Sequence, residues 1–394
     1  MRNPLRTFAV LCLWASLILA GAAVAAETGV IRVGTTASQT GKYGNLGIEQ
    51  LRGLQMWAAD LNSRGALLGK RVEVVAYDDA SDIDQVSALY ERLITQDRVD
   101  FLIGPYSSDL TLAAAAVAER HGVPMVAGGA AAGDIWRQGY SNVFQIDAQA
   151  KDYFDLVIAG AAEQGLTRIA LVYAGTDFPR EVASGVREEA ITHGMEIVFD
   201  QEYPNGSTEF TGIVSRMRAA APDVIFGGTY LDDSVALVKA AKAAMLSPQI
   251  FAMTVGPSQR EFGEALGDDA NGVLGVVSWM RSGRRPMAYD FSFRYKETFG
   301  ENAAAQAAYG YSAGQVLEAA VRLAGTTEYE AVRQQLRTMK FRSLLGKYRV
   351  DESGAQEAKR VYVLQWQGPF RLLVLPDEIR DSPIQYPFVP WSAR

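Results

Sequence analysis

Residues 99–127 read VDFLIGPYSSDLTLAAAAVAERHGVPMVA, and the order of chemistries in this stretch decides the fold. Val99 to Gly104, apolar but for Asp100, is of strand length and rich in residues that suit a pleated, buried surface. A polar turn, Pro105 to Asp109, separates it from an alanine-rich helical segment, Thr111 to His121, which Gly122 ends. Val123 to Ala127 is then a second apolar run. Strands buried on both faces and joined through a helix belong to a parallel sheet, because the chain must cross back over the sheet before it can pair again.

The alternation extends in both directions. Upstream, Val30 to Thr36 reads as a strand, and Asn45 to Asn62 as a helix whose apolar stripe is Leu51, Leu54, Trp57, Ala58 and Leu61. Val72 to Tyr77 is the next strand and Asp84 to Gln96 the next helix. Downstream the pattern restarts with a helix from Lys151 to Gln164. Strands at Arg168–Tyr173, Glu196–Tyr203, Asp223–Gly227 and Gln249–Met253 then alternate with helices at Pro179–His193, Phe210–Ala220 and Asp233–Ala244. The segment DFLIGPY (100–106) parallels DVIFGGTY (223–230), each running into polar residues and a helix, which indicates two similarly built lobes. WMRSGRRP (279–286) interrupts the alternation, and the helical stretches Met287–Phe299 and Ala303–Leu323 read as a return crossing between lobes. Strand-like pieces at Lys347–Val350 and Val361–Gln365 precede a proline-punctuated tail, YPFVPW (386–391), expected to lie extended on a lobe surface.

The expectation is an α/β protein of two doubly wound parallel-sheet lobes. The N-terminal lobe would comprise 27–149 and 279–358, and the C-terminal lobe 150–278 and 359–394, after a signal peptide at 1–26. That signal is read from Arg2 and Arg6, the apolar stretch Phe8 to Ala20 and the small-residue run ending at Ala26. Its apolar core is shorter than the roughly 20 residues of a membrane span. Cleavage near Ala26 would export the chain to the periplasm. Cys12, the sole cysteine, lies inside this segment with Leu11 before it, a poor context for lipidation, so the mature chain would hold neither disulfides nor thiolate metal sites. The formal charge of −7 becomes −9 without the two arginines, which argues against nucleic acid as a partner.

Enzyme chemistry has little material to work with. His121 and His193 each precede a glycine at a helix end, where an imidazole meets the last carbonyls, and no nucleophile elbow, Walker loop or dinucleotide fingerprint occurs. The pair Asp78-Asp79 ends a strand, its side chains diverge, and one of them is expected to cap the following turn. No cofactor, metal or catalytic residue is expected. The informative features are loops at strand carboxyl ends, where open α/β sheets bind ligands. Tyr106, Ser107 and Ser108 lead directly into a helix, and their hydroxyls with the free N–H groups of the helix start suit an anionic oxygen, although a simple helix cap explains them equally. Gly129, Ala130 and Ala131 follow the next strand with side chains too small to cover their backbone N–H groups.

These residues, with IRVG and TGKYG near the start, RGALLGKRVEVVAYDD, ERLITQDRVDFLIGPYSS, HGVPMVAGGAA and a late VYVLQWQ, resemble the type I periplasmic binding proteins of the leucine/isoleucine/valine-binding family over Val30 to Pro390. The resemblance implies two lobes joined by three hinge crossings, closing over a small solute for an ABC permease in the inner membrane, with the protein a monomer and not an enzyme. It implies that Ser108, with Ser107 beside it, and the backbone of Gly129, Ala130 and Ala131 hold a ligand carboxylate. A threonine often stands where this chain has Ala131. It further implies that Tyr43 and Leu46 cover the ligand, and that Phe178 and Tyr230 meet it from the second lobe. The acidic residue that amino-acid binders place after the strand ending near Met253 is absent, Thr254 and Val255 standing there instead. Asp232 and Asp233 are the nearby acids that could substitute. The ligand expected is thus an amino acid or similar carboxylate. An aromatic or other non-amino carboxylate, an amide, or an extracytoplasmic sensing role are the alternatives.

Overall fold

Alternating apolar strands and amphipathic helices assemble into two sheets. The computed structural model describes residues 29–282 and 286–394, so the signal-like segment lies outside the described residues. The first sheet is built from β1 (Val30–Ala37), α1 (Gly44–Ser63), β2 (Arg71–Asp78), α2 (Ile83–Thr95), β3 (Phe101–Ile103), α3 (Ser108–His121), β4 (Met125–Ala127), α4 (Asp134–Arg137) and β5 (Val143–Gln145). Its strands are parallel in the order β2-β1-β3-β4-β5. The second unit follows as α5 (Asp155–Glu163), β6 (Arg168–Ala174), α6 (Asp177–Thr192), β7 (Glu196–Tyr203), α7 (Thr211–Ala219), β8 (Val224–Gly228), α8 (Leu231–Ala243), β9 (Ile250–Met253), α9 (Arg260–Leu266) and β10 (Leu274–Val277).

The chain then returns to the first sheet through α10 (Pro286–Phe299), α11 (Ala305–Ala324), α12 (Tyr329–Thr338) and the hairpin β11 (Phe341–Ser343) with β12 (Gly346–Tyr348). It crosses a last time to add β13 (Tyr362–Gln367) and β14 (Phe370–Leu375) antiparallel to the second sheet, whose order is β14-β13-β10-β9-β8-β6-β7. The lobes are therefore joined at three places, after β5, after β10 and after β12. In each sheet the strand order reverses, between β1 and β3 and between β6 and β8, and a crevice opens at such a reversal at the strand carboxyl ends.

Two local features set the site. α3 starts at Ser108, earlier than its alanine run suggests, because Ser107 caps it, the Ser107 hydroxyl accepting from the Leu110 N–H at 3.3 Å. α11 lies against α1 at backbone contact: a Cβ at Gly53 would fall 1.8 Å from the Ala307 carbonyl oxygen, and one at Gly310 would fall 1.9 Å from that of Gln50. Glycine is required at both positions, and the close approach carries Gln306 and Tyr309 to the gap between the lobes. The tail docks on the second lobe, with Phe388 5.9 Å from the Phe251 ring and the Trp391 Nε1–H donating to the Leu246 carbonyl at 2.7 Å.

Candidate functional site

The gap between the lobes is bounded on one side by the loops after β3 and β4. Tyr106, Ser107, Ser108, Gly129 and Ala131 face it. The Ser107 N–H donates to the Gly129 carbonyl at 3.1 Å, which sets the two loops side by side. The Ser108 hydroxyl, 2 % exposed, accepts from the N–H groups of Ala131 and Ala132 at 3.2 and 3.1 Å. Its own proton and the first N–H groups of α3 remain for an acceptor. Ser107 has φ +91° and ψ +149°, a conformation L-residues rarely adopt. Such backbone strain costs on the order of 1–3 kcal/mol and clusters at ligand-binding loops.

Phe178, from the first turn of α6, and Tyr230 and Val255, from the loops after β8 and β9, form the opposite wall. Tyr43 does not reach the cavity but stacks behind it, its ring 5.9 Å from Tyr106 and 5.6 Å from Tyr230, so that it bridges the lobes. Burial raises the Tyr230 phenol well above its ordinary value and keeps it a donor. In this conformation the walls stand close, and the space between them is about 30 Å³, room for a water molecule or two.

Besides Tyr43, three expected contacts lie elsewhere. Leu46 lines a neighbouring cavity. The Ala130 carbonyl accepts from Gln145 Nε2 at 3.4 Å, behind the loop. The buried Thr254 hydroxyl accepts from the Thr229 N–H at 2.9 Å and donates to the Thr229 carbonyl at 2.7 Å, so it braces the β8 and β9 loops. Asp233 does not enter the gap either: it accepts from the Tyr230 and Ser234 N–H groups at 2.7 and 2.9 Å and from the Tyr203 hydroxyl at 2.6 Å, capping α8. Asp78 and Asp79 tie the β1 and β2 loops, Asp79 accepting from Thr36 and Ser38 at 2.7 and 2.6 Å. Both also cap the turn that follows, as expected, their Oδ1 atoms accepting from the Ala80 and Ser81 N–H groups at 2.9 Å each, and Asp82 is the N-cap of α2 itself. His121 ends α3 and lies 2.9 Å from Glu91.

The structure adds lining residues that carry no local motif: Asp147, Tyr153, Ser258, Gln306 and Tyr309. Asp147 belongs to the first crossing, and its carboxylate accepts from the Ser278 hydroxyl of the second crossing, from the Ala148 N–H at 2.7 Å and from the Tyr153 hydroxyl at 3.2 Å. Lys359, of the third crossing, donates to the Ser278 carbonyl at 2.7 Å. A polar cluster thus joins all three crossings at the back of the cleft. Burial pushes the Asp147 carboxyl up to about 6, against the hydrogen bond from Ser278 and the charge of Lys359.

Direct bonds also span the front of the lobes. The Asp177 N–H at the start of α6 donates to the Asp109 carboxylate at 3.1 Å. Arg137 holds Glu181 through two hydrogen bonds of 3.1 and 2.8 Å. With the Tyr43–Tyr230 stack, these contacts describe a closed arrangement.

Sequence and structure comparisons agree with this architecture. A family profile described as "Periplasmic binding protein" matches residues 30–369. The Leu/Ile/Val-binding protein homolog 7 of Brucella suis biovar 1 (strain 1330) is 25 % identical over 398 residues, covering 96 % of this chain and 99 % of that protein. A leucine-binding protein from Thermotoga maritima MSB8 superposes with a TM-score of 0.80 at 22 % identity, covering 89 % of this chain and all of the other. A solute-binding protein of an ABC transporter from Rhodopseudomonas palustris BisB5, solved in complex with 3,4-dihydroxybenzoic acid, superposes with a TM-score of 0.79 at 20 % identity over 90 % of this chain and 98 % of its own.

Proposed function

The chain belongs to the periplasmic binding protein family, and from that premise we propose that it captures a small carboxylate-bearing solute between its lobes, outside the cytoplasm, and presents it to the permease of an ABC importer. One observation carries the reading: Ser108, the start of α3 and the Gly129–Ala131 loop face Phe178 and Tyr230 of the other lobe across one cavity. The first wall offers a hydroxyl and free N–H groups, the donors that a carboxylate needs once it leaves water. The second offers aromatic faces for an apolar body. Opening the lobes parts the Tyr43–Tyr230 contact and admits the solute, and the lobes then close on it with the walls set wider than in this conformation, whose space is about 30 Å³. The named ligands of two structural neighbours, leucine and 3,4-dihydroxybenzoic acid, are both carboxylic acids.

Asp147 favours a second form of the ligand, one with an amino group. It is an acid inside the cleft, where an ammonium would find its counter-charge. Lys359 already offsets part of that charge, so the amino group is secondary to the carboxylate. A thermal-shift screen with leucine, valine, benzoate and 3,4-dihydroxybenzoate, each beside its neutral amide, tests the reading, because a ligand of the closed form raises stability by mass action. At least one acid should stabilise the protein where its amide does not. Equal shifts for acids and amides would remove the carboxylate from the account.

A further inference from the structure

Beside the cleft lies a second cavity, of about 320 Å³, bordered by β10, β13, β14 and the start of α11. Ser258, Val277 and Ala305 line both spaces, so the two adjoin. Its charge is one-sided: among the described residues Arg260, Arg281 and Arg371 line it, and no carboxylate does. That bias stands out in a chain whose net charge is −7. Arg260 is held by Glu261 and Glu264 at 3.5 and 3.3 Å. Arg371 makes no ion pair among the described residues; its guanidinium donates to the Ser258 carbonyl and lies 5.8 Å from the Trp366 ring. Burial lowers its pKa, with Glu261 the acid acting against that shift.

Trp279 and Ser292, 1 % and 6 % exposed, also border the cavity, but the Trp279 Nε1–H and the Ser292 hydroxyl are buried away from its open space. A guanidinium has five N–H groups, and most of those of Arg371 are unused among the described residues. A half-buried cation without an anion in contact costs free energy that an anionic oxygen would recover. Trp366, Leu364 and Leu372 complete the lining with apolar surface.

We infer that the solute is a dianion: one carboxylate sits at Ser108, and a second anionic group, carried on an apolar spacer, sits at Arg371 in the arginine-lined cavity. This rests on the carboxylate reading of the cleft and adds the length and charge of the guest. Calorimetric titrations with matched acids test it: adipate and suberate against hexanoate and octanoate, and terephthalate against benzoate. At least one diacid should bind on the order of tenfold tighter than its monoacid, the range of a charge-assisted hydrogen bond. Arg371→Gln should erase that preference and leave monoacid affinity within about twofold. Arg371→Lys, which keeps the charge and removes the guanidinium fork, should reduce the preference without erasing it, and stands in if Arg371→Gln does not fold. Monoacids binding as well as diacids, or Arg371→Gln weakening both alike, would overturn the distal site alone. If no acid of either kind binds, the carboxylate reading falls and the dianion with it.

Discussion

Replacing Ser108 by alanine separates two roles that one hydroxyl plays. The first is structural: its oxygen accepts the N–H groups of Ala131 and Ala132, both buried. Removing the acceptor strands two donors away from water. A single unsatisfied buried group costs about 1–3 kcal/mol, and loop relaxation will recover part of this, so a loss of about 2 kcal/mol is expected. In a lobe of this size that lowers the unfolding midpoint by roughly 4–8 °C. The second role is binding, since the hydroxyl proton is free to donate to a carboxylate. Losing a hydrogen bond to a charged group costs about 1.5–3 kcal/mol, but the two freed N–H groups can turn toward the same anion and offset some of it. The net expectation is about a tenfold rise in Kd, with Ser108→Thr closer to wild type. Thermal unfolding without ligand measures the first effect, and calorimetry with the acid that performs best in the screen measures the second. A Ser108→Ala protein that unfolds earlier yet binds that acid with unchanged affinity would show that Ser108 only braces the loop.

Other expectations follow from the closed arrangement. Arg137→Ala removes a cross-lobe pair whose side chains are 57 % and 12 % exposed. An ion pair this open to solvent contributes about 0–1 kcal/mol, so affinity should fall less than about fivefold while small-angle scattering reports a larger mean radius; a hundredfold loss would mean that the pair does more than latch the lobes. Closure also brings Asp177 against Asp109, and burial, reinforced by that neighbouring charge, pushes the Asp177 carboxyl up to about 6. The closed form therefore holds this proton more tightly than the open one, and lowering the pH through 6 should favour closure; Asp177→Asn should flatten that part of the affinity–pH curve, and parallel curves for variant and wild type would contradict it. Ser107→Gly relaxes the φ of +91° and loses only the side-chain cap. It should stabilise the lobe by about 1 kcal/mol in urea unfolding, and destabilisation would show that the hydroxyl outweighs the strain.

The fold was legible where elements are long and periodic. α1 shows its stripe of Leu54, Trp57 and Leu61, and β6 and β8 are bounded apolar runs. β5 and β10 were not: at three and four residues they match β3, β4 and β9 in length, but each follows only a short helix, α4 or α9, so no long helical segment marks the crossover before it. The loops after β3, β4 and β8 could be located because glycine, serine and tyrosine at a strand end have few other uses there. Thr254 occupies the equivalent place after β9 but turns inward to Thr229, a choice that depends on the packing of two loops distant in sequence. Asp147, Gln306 and Tyr309 had no motif at all. They reach the cleft through a hinge crossing and through the glycine-mediated contact of α11 with α1, a pairing of helices distant in sequence.

The central claim is that groups from both lobes hold one guest, and a crystal structure with the tightest-binding acid from the screen tests it most directly. A carboxylate within hydrogen-bonding distance of the Ser108 hydroxyl and the first N–H groups of α3, with the rest of the molecule against Phe178 and Tyr230, is the expected result. A guest seated on one lobe alone, or one whose carboxylate lies away from Ser108, would contradict it.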